Sequence, residues 1–351
     1  MKSKIRIGRG SFINPNNQFL KTQVELDEGE RPEDTFMPST SFIEVDAKSI
    51  VNPVPSPDVP LQWGMNPYQG CEHGCTYCYA RTTHEYLGYN AGIDFETKIL
   101  VKKQAAALLR KKFMLKSWKG EAIMLSGNTD CYQPIERKLK ITRSLLETCA
   151  EFKNPVGIIT KNTLVTRDID ILADMAKDDL THVVISFTSL QEDLRQILEP
   201  RTSSVKSKLQ AIEKMSLAGI PVIVGMAPII PALNSHEIMN MAKAVSEAGA
   251  MQMSYTTVRL NGEVQTLFED WLERHFPDRK QKVMGQIADL HGGTVQDNRF
   301  NTRMKGEGHV AKMISQQMKL ARKRYNLNQE IPKLNETLFR RPDQNQLSLF
   351  T

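Results

Sequence analysis

Three of the five cysteines in this 351-residue chain lie within eight residues, in the segment GCEHGCTYCYA. Cys71, Cys75 and Cys78 are spaced C-x3-C-x2-C, so their thiolates can converge on one soft metal centre. A structural zinc or an ordinary iron–sulfur cluster takes four protein ligands. The segment therefore predicts a metal centre that is completed from elsewhere or that keeps an open coordination position.

The residues alone leave several candidates for the fourth ligand of this metal centre. His73 or His84 could complete a three-cysteine zinc site, and the more distant Cys131 or Cys149 could complete a cluster. Five cysteines, three of them crowded together, do not form the pattern of a disulfide framework. Thiolates that are free to hold metal indicate a reducing cytoplasm.

The elements that must position these residues are short β-branched runs alternating with amphipathic segments. Apolar residues recur at three- and four-residue spacing in TKILVKKQAAALLRKKF and SVKSKLQAIEKMSLAG, which predicts helices there. Six strand candidates separated by helix-length crossovers predict parallel βα units, as an open sheet or a barrel. These candidates are QWGMNP, EAIMLS, VGIITK, THVVISF, IPVIVGM and MQMSYTTV.

Composition divides the chain into four parts. Residues 1–61 include the proline-rich NPVPSPDVP, which fits neither a helix nor a central strand and predicts a wrapping N-terminal extension. Residues 62–262 carry the alternating pattern and are the predicted core. Residues 263–340 are predicted to be a helical, basic region, and residues 341–351 a flexible tail.

Charge is distributed unevenly along the chain. Between residues 278 and 341, fourteen Lys and Arg stand against six Asp and Glu, so this region carries +8 and the remainder −2, within a net charge of +6. The excess predicts an anionic partner, nucleic acid first, with a solvated helix face as the alternative. The longest apolar run, 220–233, is too short to span a bilayer and contains three prolines, so no membrane association is expected. No secretory signal is visible at the start of the chain.

The cysteine spacing, the aromatic Tyr77 before the third cysteine and the position after the first strand resemble the radical S-adenosylmethionine (radical SAM) superfamily. NPVPSPDVPLQWGMNPYQGC and LEPRTSS further resemble a bacterial subgroup related to the spore photoproduct lyases. The resemblance implies an α/β fold, a partial (β/α)6 barrel similar to a TIM barrel, whose chemistry lies at the C-terminal ends of the strands.

The same resemblance implies the cofactors and their reaction. Three cysteines hold three irons of a [4Fe-4S] cluster, and the amino and carboxylate groups of S-adenosylmethionine chelate the fourth. An external donor such as flavodoxin or ferredoxin supplies the electron, and reductive cleavage gives a 5′-deoxyadenosyl radical that abstracts hydrogen from the substrate. The protein contributes binding, orientation and exclusion of solvent.

Residues at the predicted strand ends match cosubstrate-binding positions of this family. Thr129 and Asp130 match a pair that helps bind the methionine group, and Lys161 is placed to pair with its carboxylate. Ser186 matches a serine in the same neighbourhood, and Tyr77 would pack near the adenine. The alternatives are a helix cap for Thr129 and Asp130 and ordinary solvation for Lys161 and Ser186.

Four further residues are candidates for the active-site pocket, three because of their positions and one because the chain departs from the lyase pattern. Glu199, Arg201 and Tyr255 could also face the pocket. The lyases carry a hydrogen-donating cysteine shortly before the matched aspartate, where this chain has Gly127. Cys131, directly after the aspartate, is therefore a candidate hydrogen donor, with a small buried hydrophobe as the alternative. The departure counts against thymine-dimer reversal by the lyase mechanism.

The last residues resemble the pentapeptide by which bacterial DNA polymerases and repair proteins dock on the sliding clamp. Leu349 and Phe350 would be the apolar anchors and Gln346 the polar contact, with Leu347 between them; a terminal latch folded onto the body is the alternative. The predicted function is thus a radical SAM enzyme acting on a DNA lesion. Modification of RNA or protein, and a non-catalytic metal-stabilised nucleic-acid-binding module, are the other hypotheses.

Overall fold

The computed structural model describes residues 8–20 and 39–342. The clamp-like residues Gln346, Leu347, Leu349 and Phe350 lie outside this part of the chain. The described strands are β1 (Ser41–Glu44), β2 (Val51–Pro53), β3 (Trp63–Met65), β4 (Tyr68–Gln69), β5 (Lys98–Val101), β6 (Ile123–Leu125), β7 (Val156–Thr160), β8 (Thr181–Phe187), β9 (Val222–Ile229) and β10 (Gln252–Thr257). The described α-helices are α1 (Ile93–Thr97), α2 (Ala105–Met114), α3 (Glu136–Leu139), α4 (Ile141–Phe152), α5 (Ile169–Ala176), α6 (Glu192–Leu198), α7 (Val205–Leu217), α8 (Ile238–Glu247), α9 (Val264–His275), α10 (Lys280–Leu290) and α11 (Gly308–Arg324).

In the described part of the chain, six parallel strands form the main sheet in the order β3, β6, β7, β8, β9, β10, and β2 pairs with β3 as an antiparallel edge strand. The six strand candidates of the sequence correspond to these six strands. Helices connect successive strands, so the α/β fold with a partial (β/α)6 barrel is confirmed. Within the described residues, β10 and β2 are the two edges of this sheet and do not pair with each other.

Most of the helices share one large apolar core cluster with the sheet, and α9 and α10 contribute to a second cluster. Helix α7 begins where the Ser204 hydroxyl accepts a hydrogen bond from the Ser207 N–H at 3.2 Å. It ends before Gly219, whose φ of +76° suits glycine. The buried face of α11, which includes Ile314 and Met318, belongs to the same core cluster as the strands.

One helix of the sequence analysis begins later than predicted. The segment 97–113 has helical periodicity, but its first part, Lys98–Val101, is strand β5. This strand pairs parallel with β1 and antiparallel with β4, so burial in a three-stranded sheet overrides the local pattern. Helix α2 then begins at Ala105.

No helix in the described part of the chain is long and apolar enough to cross a membrane.

Candidate active site

The cysteine loop, residues 70–79, follows β4 and is held in shape by two glycines. Gly70 and Gly74 have φ values of +78° and +69°, which side-chain-bearing residues rarely adopt. A Cβ on Gly74 would lie 2.9 Å from a carboxylate oxygen of Glu96. A Cβ on Gly10 would lie 1.6 Å from the Gly74 carbonyl oxygen, so the N-terminal segment packs directly on the loop.

A buried ion pair supports the loop from beneath. Arg81 and Glu96, both with fully buried side chains, approach to 2.5 Å, and Arg81 Nε donates to the Cys75 carbonyl at 2.9 Å. The Glu96 carboxylate also accepts the N–H groups of Gly10 at 3.1 Å and Ser11 at 2.8 Å. The N-terminal extension and the cysteine loop therefore share one charged anchor.

The three thiols are free and concentrated in this loop. Burial raises the pKa of Cys71, Cys75 and Cys78, and the charges of Asp130 and Glu199 raise those of Cys71 and Cys75 further. A bound positive metal centre is what would favour their thiolate forms, because metal ligation requires deprotonated cysteine. The donor set is thus suited to a thiolate-bound cluster.

The zinc alternative is not supported by the histidines. Within the described residues, no three His, Cys, Asp or Glu side chains form a group that could hold a single metal ion. His73 Nδ1 lies 3.4 Å from Asp130, and its Nε2 lies 3.2 Å from the Asn162 amide. His84 Nε2 contacts the Lys98 carbonyl at 3.0 Å. A [4Fe-4S] cluster makes a different demand, because each cysteine binds a different iron.

Thr129 and Asp130 lie between the ends of β6 and β7, with their polar atoms engaged by the protein. The Thr129 hydroxyl donates to the Tyr68 carbonyl at 2.8 Å. Asp130 accepts the Thr160 hydroxyl and the Lys161 backbone N–H, both at 2.7 Å. Burial opposes its charge, but His73 and these hydrogen bonds hold the pKa of Asp130 below its ordinary value. The pair orders the strand ends, and its contact with the cosubstrate stays a prediction.

Glu199 is the centre of a buried charge cluster beside the cysteine loop. Its carboxylate lies 3.0 Å from Lys161 Nζ and 3.4 Å from Lys208 Nζ, and it accepts hydrogen bonds from the hydroxyls of Tyr77 and Thr188. Burial opposes ionisation, but the two lysines hold the pKa of Glu199 well below its ordinary value. Lys161 was predicted to bind the carboxylate of the cosubstrate. In this structure it binds the carboxylate of Glu199 instead.

The other predicted residues have different surroundings. Ser186 is buried near the end of β8, and its carbonyl accepts a hydrogen bond from Lys208 at 3.2 Å. Cys131 is fully buried in the main core, and burial raises the pKa of its thiol. This position favours the buried-hydrophobe alternative for Cys131. Arg201 pairs with Glu72 at 3.1 Å.

Several residues of the site could not be identified from the sequence. Arg81, Glu96, Thr188 and Lys208 carry no motif, and their roles depend on contacts between distant segments. The only sequence signal near Lys208 is its place in an otherwise amphipathic helix, where it occupies the buried face of α7. A buried lysine on such a face needs a carboxylate partner, which Glu199 provides.

A partial parallel barrel with a three-cysteine loop shortly after its first strand, β3, defines a class of enzyme in which these three cysteines would hold an iron–sulfur cluster. The chain belongs to the radical SAM superfamily, whose family model matches residues 65–245, more than half of the chain. The superfamily uses a [4Fe-4S] cluster and S-adenosylmethionine, and these are the cofactors of this enzyme.

Relatives occur in bacteria and archaea. An uncharacterized protein of Mycobacterium bovis is 33% identical over 241 residues, which cover 68% of this chain and 71% of that protein. An uncharacterized protein of Methanocaldococcus jannaschii is 26% identical over 247 residues, which cover 70% of this chain and 88% of that protein.

The solved structures of spore photoproduct lyase have a similar fold. The lyase complexed with dinucleoside spore photoproduct matches 81% of this chain and 79% of its own with a TM-score of 0.55 and 15% identity. A lyase mutant with bound AdoMet and the same dinucleoside gives a TM-score of 0.55, 16% identity and coverage of 81% of this chain and 78% of its own. At these identities the likeness shows a shared fold.

Proposed function

We propose that this radical SAM enzyme acts on a lesion in DNA, a damaged base or a cross-link, in a lyase-like repair reaction. The observation that carries the proposal is the fold likeness over 81% of the chain to a lyase solved with a dinucleoside photoproduct. That lyase is complexed with a dinucleoside, so a substrate made of joined nucleosides is the class that this likeness favours. A second radical SAM substrate class, RNA or a protein side chain, is separated from DNA by the experiment below.

The charge of the C-terminal region supports an anionic substrate. Lys312, Lys319 and Lys323 lie exposed on α11, and the first turn of this helix contains no acidic residue. Phosphate groups are the anions that such a surface attracts over a distance, at a rate that depends on salt. The basic helix therefore favours nucleic acid over a neutral substrate.

Different residues of the chain would have different roles in this reaction. Cys71, Cys75 and Cys78 would hold the cluster, which together with S-adenosylmethionine supplies the radical that abstracts hydrogen from the substrate. Lys161, which now pairs with Glu199 at 3.0 Å, would pair with the cosubstrate carboxylate in its place. The buried loop excludes water from the reacting atoms.

The substrate assignment is tested by adding DNA to the anaerobically reconstituted, reduced protein and measuring 5′-deoxyadenosine. We expect ultraviolet-irradiated DNA to change the rate or yield of 5′-deoxyadenosine, whereas unirradiated DNA of the same sequence has a smaller effect. An equal response to both DNAs, or a response only to RNA or protein, would contradict the proposal.

We also propose two macromolecular partners. An electron donor such as flavodoxin or ferredoxin would reduce the cluster. The sliding clamp would bind the C-terminal tail through Gln346, Leu347, Leu349 and Phe350. Binding of a peptide with the last ten residues should be lost with Leu349→Ala plus Phe350→Ala; equal affinity of both peptides would refute the clamp proposal.

A further inference from the structure

One loop connects the two edges of the open sheet. Residues 294–307, which we call the rim loop, lie at the C-terminal end of β10, where the Met304 carbonyl accepts the Thr257 N–H at 2.9 Å. The same loop reaches Asp58, whose carboxylate accepts the Asn301 N–H at 2.7 Å and Arg303 Nε at 2.6 Å. Asp58 lies between β2 and β3, at the opposite edge. The rim loop therefore spans the open side of the barrel.

The rim loop is also anchored from within. The buried Asp297 lies 2.9 Å from Arg299 and 3.1 Å from His291, and His291 Nε2 lies 2.8 Å from the Val258 carbonyl. Arg299 also pairs with Glu307 at 2.7 Å. These contacts use the charges of Asp297, Arg299 and Glu307 for the fold of the loop itself.

Two cations near the rim loop do not take part in these ion pairs. Arg259, just beyond β10, lies over the Tyr79 ring at 5.5 Å and donates to the Met304 sulfur at 3.3 Å. Lys305 is exposed and lies over the Tyr255 ring at 5.9 Å. In the described part of the chain neither cation has an ion-pair partner. Burial and the nearby Arg303 lower the pKa of Arg259, and the charges of Asp58 and Asp297, which form no ion pair with it, only partly oppose this shift.

Exposed aromatic rings accompany these cations. Tyr79 and Phe300 are each 49% exposed, and Arg303 packs over the Phe300 ring at 4.5 Å. Tyr79 follows the third cysteine directly, and its hydroxyl donates to the Gly127 carbonyl at the end of β6. Tyr79 and Arg259 thus lie beside the cysteine loop, and Phe300 and Lys305 extend this surface along the rim loop.

We propose that Arg259, Lys305, Tyr79 and Phe300, which we call the rim surface, bind an unpaired stretch of the nucleic-acid strand next to the reacting site. Cations take the phosphates and flat rings stack on bases, which is how proteins hold single strands. Bases in a duplex are stacked on each other, so rings contribute only where the strand is locally unpaired. An acidic peptide would use the cations but has no bases to stack on the exposed rings. The inference rests on the proposed function, which supplies the nucleic-acid substrate.

The experiment measures binding of full-length protein to a fluorescent single-stranded DNA and to the matching duplex over a range of salt concentrations. Arg259→Gln plus Lys305→Gln should weaken single-strand binding about tenfold and make the slope of log K against log salt shallower by about 1.4, since each phosphate contact on a single strand contributes about 0.7. The matched control, Lys206→Gln plus Lys214→Gln, removes the same charge from exposed positions on α7 and should leave the slope unchanged.

Two single variants separate the rings from the charges and guard against misfolding. Phe300→Ala should weaken single-strand binding about fivefold or more, with an unchanged salt slope, because stacking releases no counterions. Lys305→Gln, at an exposed position, should lower the slope by about 0.7 without altering the melting temperature.

Three outcomes would overturn the inference. The first is that the Arg259→Gln plus Lys305→Gln protein binds the single strand with wild-type affinity. The second is that the α7 control loses as much affinity as this variant. The third is that an acidic peptide displaces the single strand at equal concentration. The proposed function survives each of these if the wild-type protein binds DNA. It fails separately if the wild-type protein binds neither form of DNA.

Discussion

The cysteine loop and the rim loop, which lie at the same end of the barrel, differ in how their cations are paired. On the cysteine side, Arg81 pairs with the buried Glu96, and Lys161 pairs with the buried Glu199. On the rim side, Arg259 and Lys305 contact aromatic rings and a sulfur atom, and neither forms an ion pair within the described residues. The cysteine side therefore has cations that are paired with buried carboxylates, whereas the rim side has, beside its own ion pairs, two cations that are available to a ligand.

The difference corresponds to what each side must hold. A cluster ligated by three cysteines needs a fixed geometry, and buried, fully paired charges over-determine the position of a loop. A strand of nucleic acid varies in sequence and conformation, so free cations and exposed rings suit it better than a fixed pocket. The predictions below test this contrast by removing charges from each side.

The largest effect is expected on the cysteine side at Glu96. Glu96→Gln leaves the Arg81 guanidinium buried without its counterion, which should lower the free energy of unfolding by about 4 kcal/mol and reduce the iron bound after reconstitution. Urea unfolding and iron analysis measure the two effects. The control, Glu151→Gln, breaks the exposed pair with Arg110 and should cost less than about 1 kcal/mol. Equal stability of the two variants would contradict the proposed anchor.

A smaller loss is expected at Glu199. Glu199→Gln leaves Lys161 and Lys208 without a carboxylate and should cost about 3 kcal/mol at neutral pH, less than at Glu96 because Lys161 is 16% exposed. Since the folded-state pKa of Glu199 is depressed, the carboxylate stabilises the protein above the ordinary pKa of 4.5. This contribution is lost as the pH falls below that value.

Urea unfolding of the wild type and Glu199→Gln between pH 3 and pH 8 measures this dependence. The difference in unfolding free energy should be constant above about pH 5.5 and should shrink in more acidic solution. The control, Glu247→Gln at an exposed helical pair, should show almost no difference at any pH. A difference that grows on acidification would be inconsistent with a depressed pKa.

The smallest of the three effects is expected at Asp297, which anchors the rim loop. Burial opposes its charge, but Arg299 and His291 lower the pKa of Asp297 to about 2, below its ordinary value of 3.8. Asp297→Asn should therefore cost about 2 kcal/mol at pH 7, and the loss should disappear as the pH falls from 3.8 towards 2.

Hydrogen exchange distinguishes a local effect of Asp297→Asn from a global one. Exchange should accelerate in residues 294–307, while the amides of the cysteine loop keep their protection. Faster exchange in both regions would show that the two sides of the mouth are not independent.

Local patterns explain which parts of the fold the sequence predicts. The strands of the main sheet are short β-branched runs bounded by turns, and the cysteine loop has a fixed spacing, so both are visible in one segment. The strand Lys98–Val101 was predicted as helix because its partners β1 and β4 are remote in sequence. The apolar spacing within Lys98–Val101 therefore gives no sign of the sheet in which this strand is buried.

The site is less predictable than the fold because its charges meet through tertiary contacts. Glu96 accepts hydrogen bonds from Gly10 and Ser11, more than 80 residues away. Arg259 resembles any other arginine after a strand until the absence of an ion-pair partner among the described residues is seen. Lys161 was predicted to bind a carboxylate, but the buried carboxylate of Glu199 could be identified only as a pocket candidate.

The most direct test of radical SAM chemistry is formation of 5′-deoxyadenosine by the anaerobically reconstituted, reduced protein. The wild type and Cys149→Ala, whose cysteine is buried in α4, should form it from S-adenosylmethionine. Cys71→Ala, Cys75→Ala and Cys78→Ala should form none, since each removes one iron ligand. A wild-type protein that binds stoichiometric zinc, or that carries a complete reduced cluster and never forms 5′-deoxyadenosine, would contradict this assignment.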